Sequence, residues 1–194
     1  MNYLHRLFCS SARWKEVLQR YALPWALEQI DLGSDVLEIG PGYGAATEVL
    51  QRQVKHLVCV ESDRRLADRL RRKFNGHVAV QCEDATAMTL PGESFEGVAC
   101  FTMLHHVGSA SLQDRLFAEA ARVLKPGGVF AGTDGLPGRS TKWLHLFDTM
   151  VLVDPDTLPQ RLMTAGFENV QVDVNPYAFR FRAWKPKSRS PDGA

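Results

Sequence analysis

An acid and three glycines stand in this chain at a spacing that chemistry can use. In "DVLEIGPGYGAATEVL", residues 35–50, Glu38 is followed at two-residue intervals by Gly40, Gly42 and Gly44. Glycines so placed let the backbone turn sharply after a strand and approach a ligand with no Cβ in the way. A helix beginning near Ala45 would aim its free N–H groups and positive dipole end at an anionic or electron-rich group. More acids recur downstream: Glu61-Ser62 ends the next apolar run, and Asp84-Ala85 ends the one after it. A fourth run closes on Phe101-Thr102, with His105 and His106 just beyond. Carboxylates accept from hydroxyl and amino groups, and a histidine titrating near neutrality takes up a proton readily.

Those residues need elements that bring them together. "DVLEIG", "HLVCVE", "HVAVQCED", "FEGVACFTML" and "GGVFAGTD" read as short strands, the last entered through "KPGG". "AATEVLQRQ", "RRLADRLRRKF" and "SLQDRLFAEAARVL" read as helices between them. Asn75-Gly76 closes the second helix, and Leu112, Leu116, Phe117, Ala120 and Val123 give the third one apolar face. Strand alternating with helix implies a parallel sheet with helices on both faces. The candidate residues then gather at the carboxyl edge, where open α/β sheets bind ligands.

The two ends of the chain differ from this rhythm. "PQRLMTAGF" reads as a helix, and "NVQVDV" and "YAFRFRAW" as strands whose short turn at Asn175-Pro176 permits only antiparallel pairing. At the start, "WKEVLQRYALPWALEQIDLG" reads as a helix interrupted at Pro24 and ended by Gly33. The expected organisation is a helical segment over 1–30 that covers the active site, an α/β domain over 31–184, and a disordered tail over 185–194.

By pattern, the glycine loop accommodates two ligands. Gly40-Pro-Gly42-Tyr-Gly44-Ala45 satisfies the dinucleotide fingerprint, and Glu61 lies about 20 residues on, where an acid grips ribose. Against NAD stand Glu38, in a position that fingerprint gives to an apolar residue, and Asp84, suited to an exocyclic adenine amine. The chain also leaves no room for a hydride-acceptor domain. "VLEIGPGYGAAT" resembles motif I of class I S-adenosylmethionine-dependent methyltransferases. "VESD" resembles the acidic end of their second strand, "CEDATAM" their adenine-binding segment, and "ARVLKPGGVF" the entry to their fifth strand. "SFEGVACFTMLHHV" resembles their fourth-strand region, with Glu96 where Asp is usual. The resemblance runs from about residue 20 to 184 and is greatest with the small-molecule branch typified by ubiquinone and menaquinone biosynthesis.

The resemblance implies a Rossmann-like, doubly wound α/β fold: a seven-stranded sheet, parallel with one antiparallel C-terminal strand. It implies S-adenosyl-L-methionine as cofactor and S-adenosyl-L-homocysteine as product. Backbone around Gly40, Gly42 and Gly44 would hold the methionine part, with Glu38 ordering the loop or its amino group. Glu61, with Ser62 beside it, would take the ribose hydroxyls. Asp84 and the Ala85 N–H would take the adenine, and Phe101 and Thr102 would lie along the methionine chain. His105 and His106 are candidates for a base or for lining the pocket. The acceptor pocket falls to the N-terminal helices and to "GLPGRSTKWLHLFDTMVLVDPDT", where Trp143, Leu146, Phe147 and Met150 stand at helical spacing beside His145 and Asp148. An apolar cover of that kind suits a small aromatic or lipid-like acceptor.

Three alternatives remain open: an RNA or protein methyltransferase, a non-catalytic adenosyl-ligand-binding protein, and a nicotinamide-dependent reductase. Nucleic acid is disfavoured as a partner. The exocyclic-amine motif is missing after the fourth strand, Cys100 lacks a Pro-Cys context, and "RRLADRLRRK" reads as a solvated face. With 194 residues, 45% apolar and 23% charged, and a net charge of +1, the chain reads as one soluble domain without global attraction to polyanions or membranes. No apolar run reaches the ~18 residues that span a bilayer, and the N-terminus makes a poor signal peptide. Cys9, Cys59, Cys82 and Cys100 form no CxxC pair, which points to free thiols in the cytoplasm and no metal site.

Overall fold

The computed structural model describes residues 3–136 and 150–188, with side chains from Arg6 onward. Its strands are β1 (Asp35–Ile39), β2 (His56–Val60), β3 (Ala79–Gln81), β4 (Phe95–Phe101), β5 (Leu124–Gly135), β6 (Glu168–Val174) and β7 (Ala178–Trp184). They form one sheet in the order β3-β2-β1-β4-β5-β7-β6. Pairing is parallel from β3 across to β5, and β7 runs antiparallel to both β5 and β6. The Rossmann-like sheet read from the sequence is the sheet observed. From β1 the chain steps outward to β2 and β3; from β4 it steps the other way. The crevice between the carboxyl ends of β1 and β4 is therefore the topological switch point, where such sheets take ligands.

Burial explains why these segments are strands. Four of the five residues of β1 are buried, as a strand covered on both faces requires. One face packs Leu116, Phe117, Phe130, Phe179 and Phe181 under α6 (Ala110–Val123) and α7 (Leu158–Thr164). The Phe130 and Phe181 rings meet edge-on at 4.9 Å. The other face packs Leu18, Leu23, Leu50, Leu70 and Phe74 under the N-terminal helices and α5 (Arg64–Phe74). Asp63 caps α5 by accepting from the backbone N–H groups of Arg65 and Leu66, and Asn75 ends it in the left-handed conformation.

Several boundaries differ from those read in the sequence. The N-terminal helix is broken into α1 (Tyr3–Cys9), α2 (Ala12–Val17) and α3 (Leu23–Ala26), with a π turn over Leu18–Ala22. Pro24 lies in the first turn of α3, where its missing N–H costs nothing, and the Leu23 N–H reaches back five residues to the Leu18 carbonyl. The helix ends at Leu27, not at Gly33. Gly33 instead lets the chain pass Glu96, whose Oε2 accepts from the Ser34 N–H at 2.5 Å. That contact gives Glu96 a structural task at the position where Asp is usual. The helix expected over 45–53 shrinks to α4 (Thr47–Leu50). The tail expected to be disordered from 185 is held at its start, since Lys185 N donates to Gly128 O and accepts at its own carbonyl from Gly127 N, both at 2.9 Å. Trp143, His145, Leu146, Phe147 and Asp148 lie outside the described residues.

Among the described residues no helix is long and apolar enough to cross a membrane, and no cluster of His, Cys, Asp or Glu is placed to hold a metal ion. Cys59 and Cys100 are buried and Cys82 is exposed; among the described residues no cysteine is joined in a disulfide.

The tightest steric constraint in the sheet is at Gly132, paired with Cys100 on β4 and Phe181 on β7. A Cβ there would overlap the Cys100 carbonyl oxygen and stand 2.9 Å from the Phe181 ring. Gly132→Ala should cost roughly 3 kcal/mol or more, because a strand backbone must move to admit the methyl. Urea unfolding checks this: the midpoint falls while the slope stays that of the parent.

Candidate active site

Parallel strands deliver their carboxyl ends side by side, and here those ends floor a cavity of about 490 Å³. Glu38, Gly40 and Gly42 border it from β1 and its loop, Glu61 and Ser62 from β2, Asp84 and Ala85 from β3, and Phe101, Thr102 and His106 from β4 and its loop. The size suits a small organic ligand. Of the residues read from the sequence, ten meet at this cavity. Gly44 and His105 do not border it.

The three glycines turn out to answer to three different neighbours. All have positive φ. At Gly40 a Cβ would press on the Met103 side chain, and at Gly44 on Leu70 and Phe74 of α5. Gly44 thus packs closely against α5 and does not border the cavity. At Gly42 nothing lies within 4 Å of the Cβ position, so the backbone presents an open cradle to the cavity. The loop is bound at both ends: Gly40 N donates to Val60 O at 2.9 Å, and Gly44 N to Pro41 O at 2.8 Å. Lys73 Nζ donates to the Tyr43 carbonyl at 2.9 Å from outside. Because α4 starts at Thr47 and is one turn long, the helix dipole expected at Ala45 contributes little.

Two acids floor the cavity. Glu61 is buried, and its Oε2 accepts from Gly42 N at 3.0 Å while Oε1 accepts from Asp63 N at 2.9 Å. Burial raises its pKa, and the two backbone donors oppose the rise. Glu38 is only 1% exposed. Burial pushes its carboxyl up to about 7, against the Thr47 hydroxyl and the Cys59 thiol, which donates to Oε2 at 3.4 Å. Asp84 is exposed at the rim, with Oδ1 accepting from Thr86 N at 2.9 Å. Thr102 has φ +51, an uncommon conformation for a β-branched residue. It is fixed there by its N–H on Thr133 O at 2.7 Å.

The histidine pair divides. His106 borders the cavity. His105 is buried, and its Nδ1 lies 2.6 Å from Asp134 Oδ1, while its backbone N–H donates to Asp134 Oδ2 at 3.1 Å. The two rings stand 4.1 Å apart. Asp134 was missed in the sequence, although an acid closing the fifth strand in "GTDG" is the same signal that marked Glu61 and Asp84. Gln113 was missed too. Buried on α6, it donates through Nε2 to the carbonyls of Leu104 and Val151 and so fixes the histidine turn. The N-terminal helices supply the facing wall through Arg6, Cys9, Trp14 and Leu18.

These residues fit a ligand with hydroxyl groups and a positive charge. The cradle at Gly42 is open, the acids are buried and acceptor-rich, and Arg6 and His106 are the basic side chains among the described lining.

Residues 37–132 match the family model described as a methyltransferase domain. A protein of Mycolicibacterium smegmatis, named an S-adenosylmethionine-dependent methyltransferase, is 30% identical over 141 residues, 70% of this chain and 52% of its own length. A ribosomal RNA small subunit methyltransferase A of Fusobacterium nucleatum is 47% identical over 49 residues, 25% of this chain and 19% of its own. The chain thus spans about half, or less, of these curated relatives. Among solved structures, a chain of the Haloferax volcanii complex formed with the Trm112 methyltransferase activator has a TM-score of 0.75 at 15% identity. The match covers 94% of this chain and 97% of that one, a likeness of fold.

Glu38 makes stability depend on pH with a definite sign. Its folded-state pKa lies above the unfolded value, so its contribution is fully present below the ordinary carboxyl range and is lost as pH rises through about 7. Glu38→Gln should therefore leave stability nearly unchanged at pH 4, below the ordinary carboxyl value, and raise it by up to about 3 kcal/mol at pH 8. Chemical denaturation of both proteins at the two pH values checks this.

Proposed function

We propose, from the premise that the chain belongs to the class I S-adenosylmethionine-dependent methyltransferase family, that it methylates a small aromatic or lipid-like molecule. The observation that carries the reading is the pairing of the buried Glu61 with the Gly42 N–H beside an open glycine cradle. S-adenosyl-L-methionine supplies a methyl group already activated on a sulfonium. Most of the work left to the protein is alignment and exclusion of water, and alignment alone can contribute roughly 7 to 11 kcal/mol.

In this reading the loop from Gly40 to Gly42 holds the methionine arm and Glu38 faces its ammonium group. Glu61 keeps unused lone pairs for the ribose hydroxyls, with Ser62 next to it. Asp84 and the Ala85 N–H take the adenine edge. Phe101 and Thr102 border the methionine arm near the reacting centre. His106, at the cavity, takes the proton of the acceptor where one must leave, and His105 on Asp134 holds the His106 ring in place. The small-molecule acceptor is supported by the far wall, where Trp14, Leu18, Val107, Leu112 and Leu116 make an apolar surface. The ribosomal RNA relatives share too little of the chain, 25% in the fusobacterial case, to carry an RNA acceptor.

At about 100 times its dissociation constant, S-adenosylhomocysteine should stabilise the protein by about 2.7 kcal/mol. For a chain of this length that is a midpoint rise of roughly 5 to 10 °C. The rise should be absent with NAD and lost in Glu61→Ala; a rise with NAD alone refutes the cofactor. With methyl-labelled S-adenosylmethionine and a cell extract, the label should pass into small molecules chromatographically distinct from the donor, above a control without this chain. Label in RNA or protein instead refutes the acceptor class and leaves the cofactor standing.

A further inference from the structure

The net charge of +1 hides a local excess of positive charge. Helix α5 holds six cations and one acid in eleven residues, so the rest of the chain is net negative. Its apolar side, Leu66, Ala67, Leu70 and Phe74, is buried, and all six cations are exposed. Arg65, Arg69 and Arg72 stand at the i, i+4, i+7 spacing of one helix face, opposite the buried side.

The run reads in the sequence as a solvated face, but its contacts divide it in two. Arg71 donates to Asp68 Oδ1 and to the Val80 carbonyl, both at 2.9 Å. Lys73 pairs with Glu48 at 2.8 Å and donates to the Tyr43 carbonyl, and the Arg69 guanidinium lies 5.1 Å from the centre of the Tyr43 ring. Those three cations hold the fold together. Arg64, Arg65 and Arg72 do not: among the described residues none of their side chains pairs with an acid. Arg64 and Arg65 also occupy the first turn of the helix, where the dipole disfavours cations and no acid stands. A merely solvated face needs no arginines at that end.

Helix α5 starts at the cavity, which Asp63 and Leu66 border. An array of unspent cations there fits a polyanion, and three features favour a lipid bilayer over RNA. The exposed face of α5 carries no aromatic ring on which a base could stack. Asp63 and Asp84, exposed at the cavity rim, would repel an RNA strand led towards the reacting centre, whereas a bilayer stays outside on the helix. Beside the same cavity α1 exposes Leu7 and Phe8, which suit the apolar layer beneath lipid headgroups.

We infer that the outer face of α5 is a peripheral docking surface for an anionic phospholipid bilayer, gripped by Arg64, Arg65 and Arg72. The cavity then opens beside the membrane, where a lipid-like acceptor would be met. The docking goes beyond the proposed activity and uses none of the residues assigned to it.

The test is co-sedimentation of the full chain with vesicles of phosphatidylcholine, alone or mixed with phosphatidylglycerol. The chain should sediment with the mixed vesicles and not with the neutral ones, and added salt should weaken the binding. Each arginine removed should lower the affinity about fivefold, and Arg64→Gln, Arg65→Gln and Arg72→Gln together roughly 100-fold. The triple variant should keep or exceed the parent's urea midpoint, because it takes cations away from the start of the helix. Equal binding to neutral vesicles, or binding that the three substitutions leave unchanged, overturns the docking surface. So does retention of total RNA by a chain that leaves the mixed vesicles unbound. Vesicle binding needs no adenosyl ligand, so each of these results leaves the methyltransferase reading to its own test.

Discussion

One carboxylate holds the ligand end of the sheet together. Strands β1 and β2 are parallel neighbours, so the loops leaving them emerge side by side with backbone donors that no strand can satisfy. Glu61 accepts from one of each: Gly42 N from the loop after β1 and Asp63 N from the turn after β2. The first bond fixes the glycine cradle, and the second fixes the turn that starts α5, where the Asp63 side chain then caps the helix. Cavity floor, loop shape and helix entry thus share a single buried acid. Removing it would strand two backbone donors, each carrying a desolvation cost of ~1 to 3 kcal/mol.

The acids on the two sides of this loop are treated in opposite ways. Glu48, on the outer side, meets Lys15, Lys73 and Gln19, which hold its carboxyl down to about 2 despite partial burial. Glu38, on the inner side, is met by the Cys59 thiol, with the Lys73 charge as a weaker opposing influence, and burial drives it up to about 7. The chain places its lysines outside the loop and none among the described cavity lining. An unmet negative charge is thereby kept inside, next to the open cradle. A bound cation would favour the ionised form of Glu38, which couples ligand charge to the protonation of the floor.

Much of this was legible in the sequence, for physical reasons that can be named. The sheet followed from short apolar runs alternating with amphipathic ones, and the antiparallel end followed from a turn too short to cross over. Glu61 and Asp84 were found because an acid terminating an apolar strand falls at the edge where ligands bind. The same rule marks Asp134, which closes β5 with no motif around it to draw attention. The glycines looked equivalent because sequence shows spacing and not neighbours; only the approach of Leu70 and Phe74 separates Gly44 from Gly42. His105 and His106 looked equivalent for the same reason, and a three-residue 3₁₀ turn sends one inward to Asp134 and the other to the cavity. The π turn before Pro24 leaves no periodic trace that distinguishes it from a helix with a proline in it.

The cover over the cavity depends on the same loop that makes its floor. Glu48 and the Ala45 carbonyl anchor Lys15 and Gln19, so the segment from α2 into the π turn is fixed to the outer side of the glycine turn. From there Trp14 and Leu18 reach over the cavity. Displacing the loop would therefore disturb floor and cover together, a coupling that places the whole ligand end of the sheet under the control of one short turn.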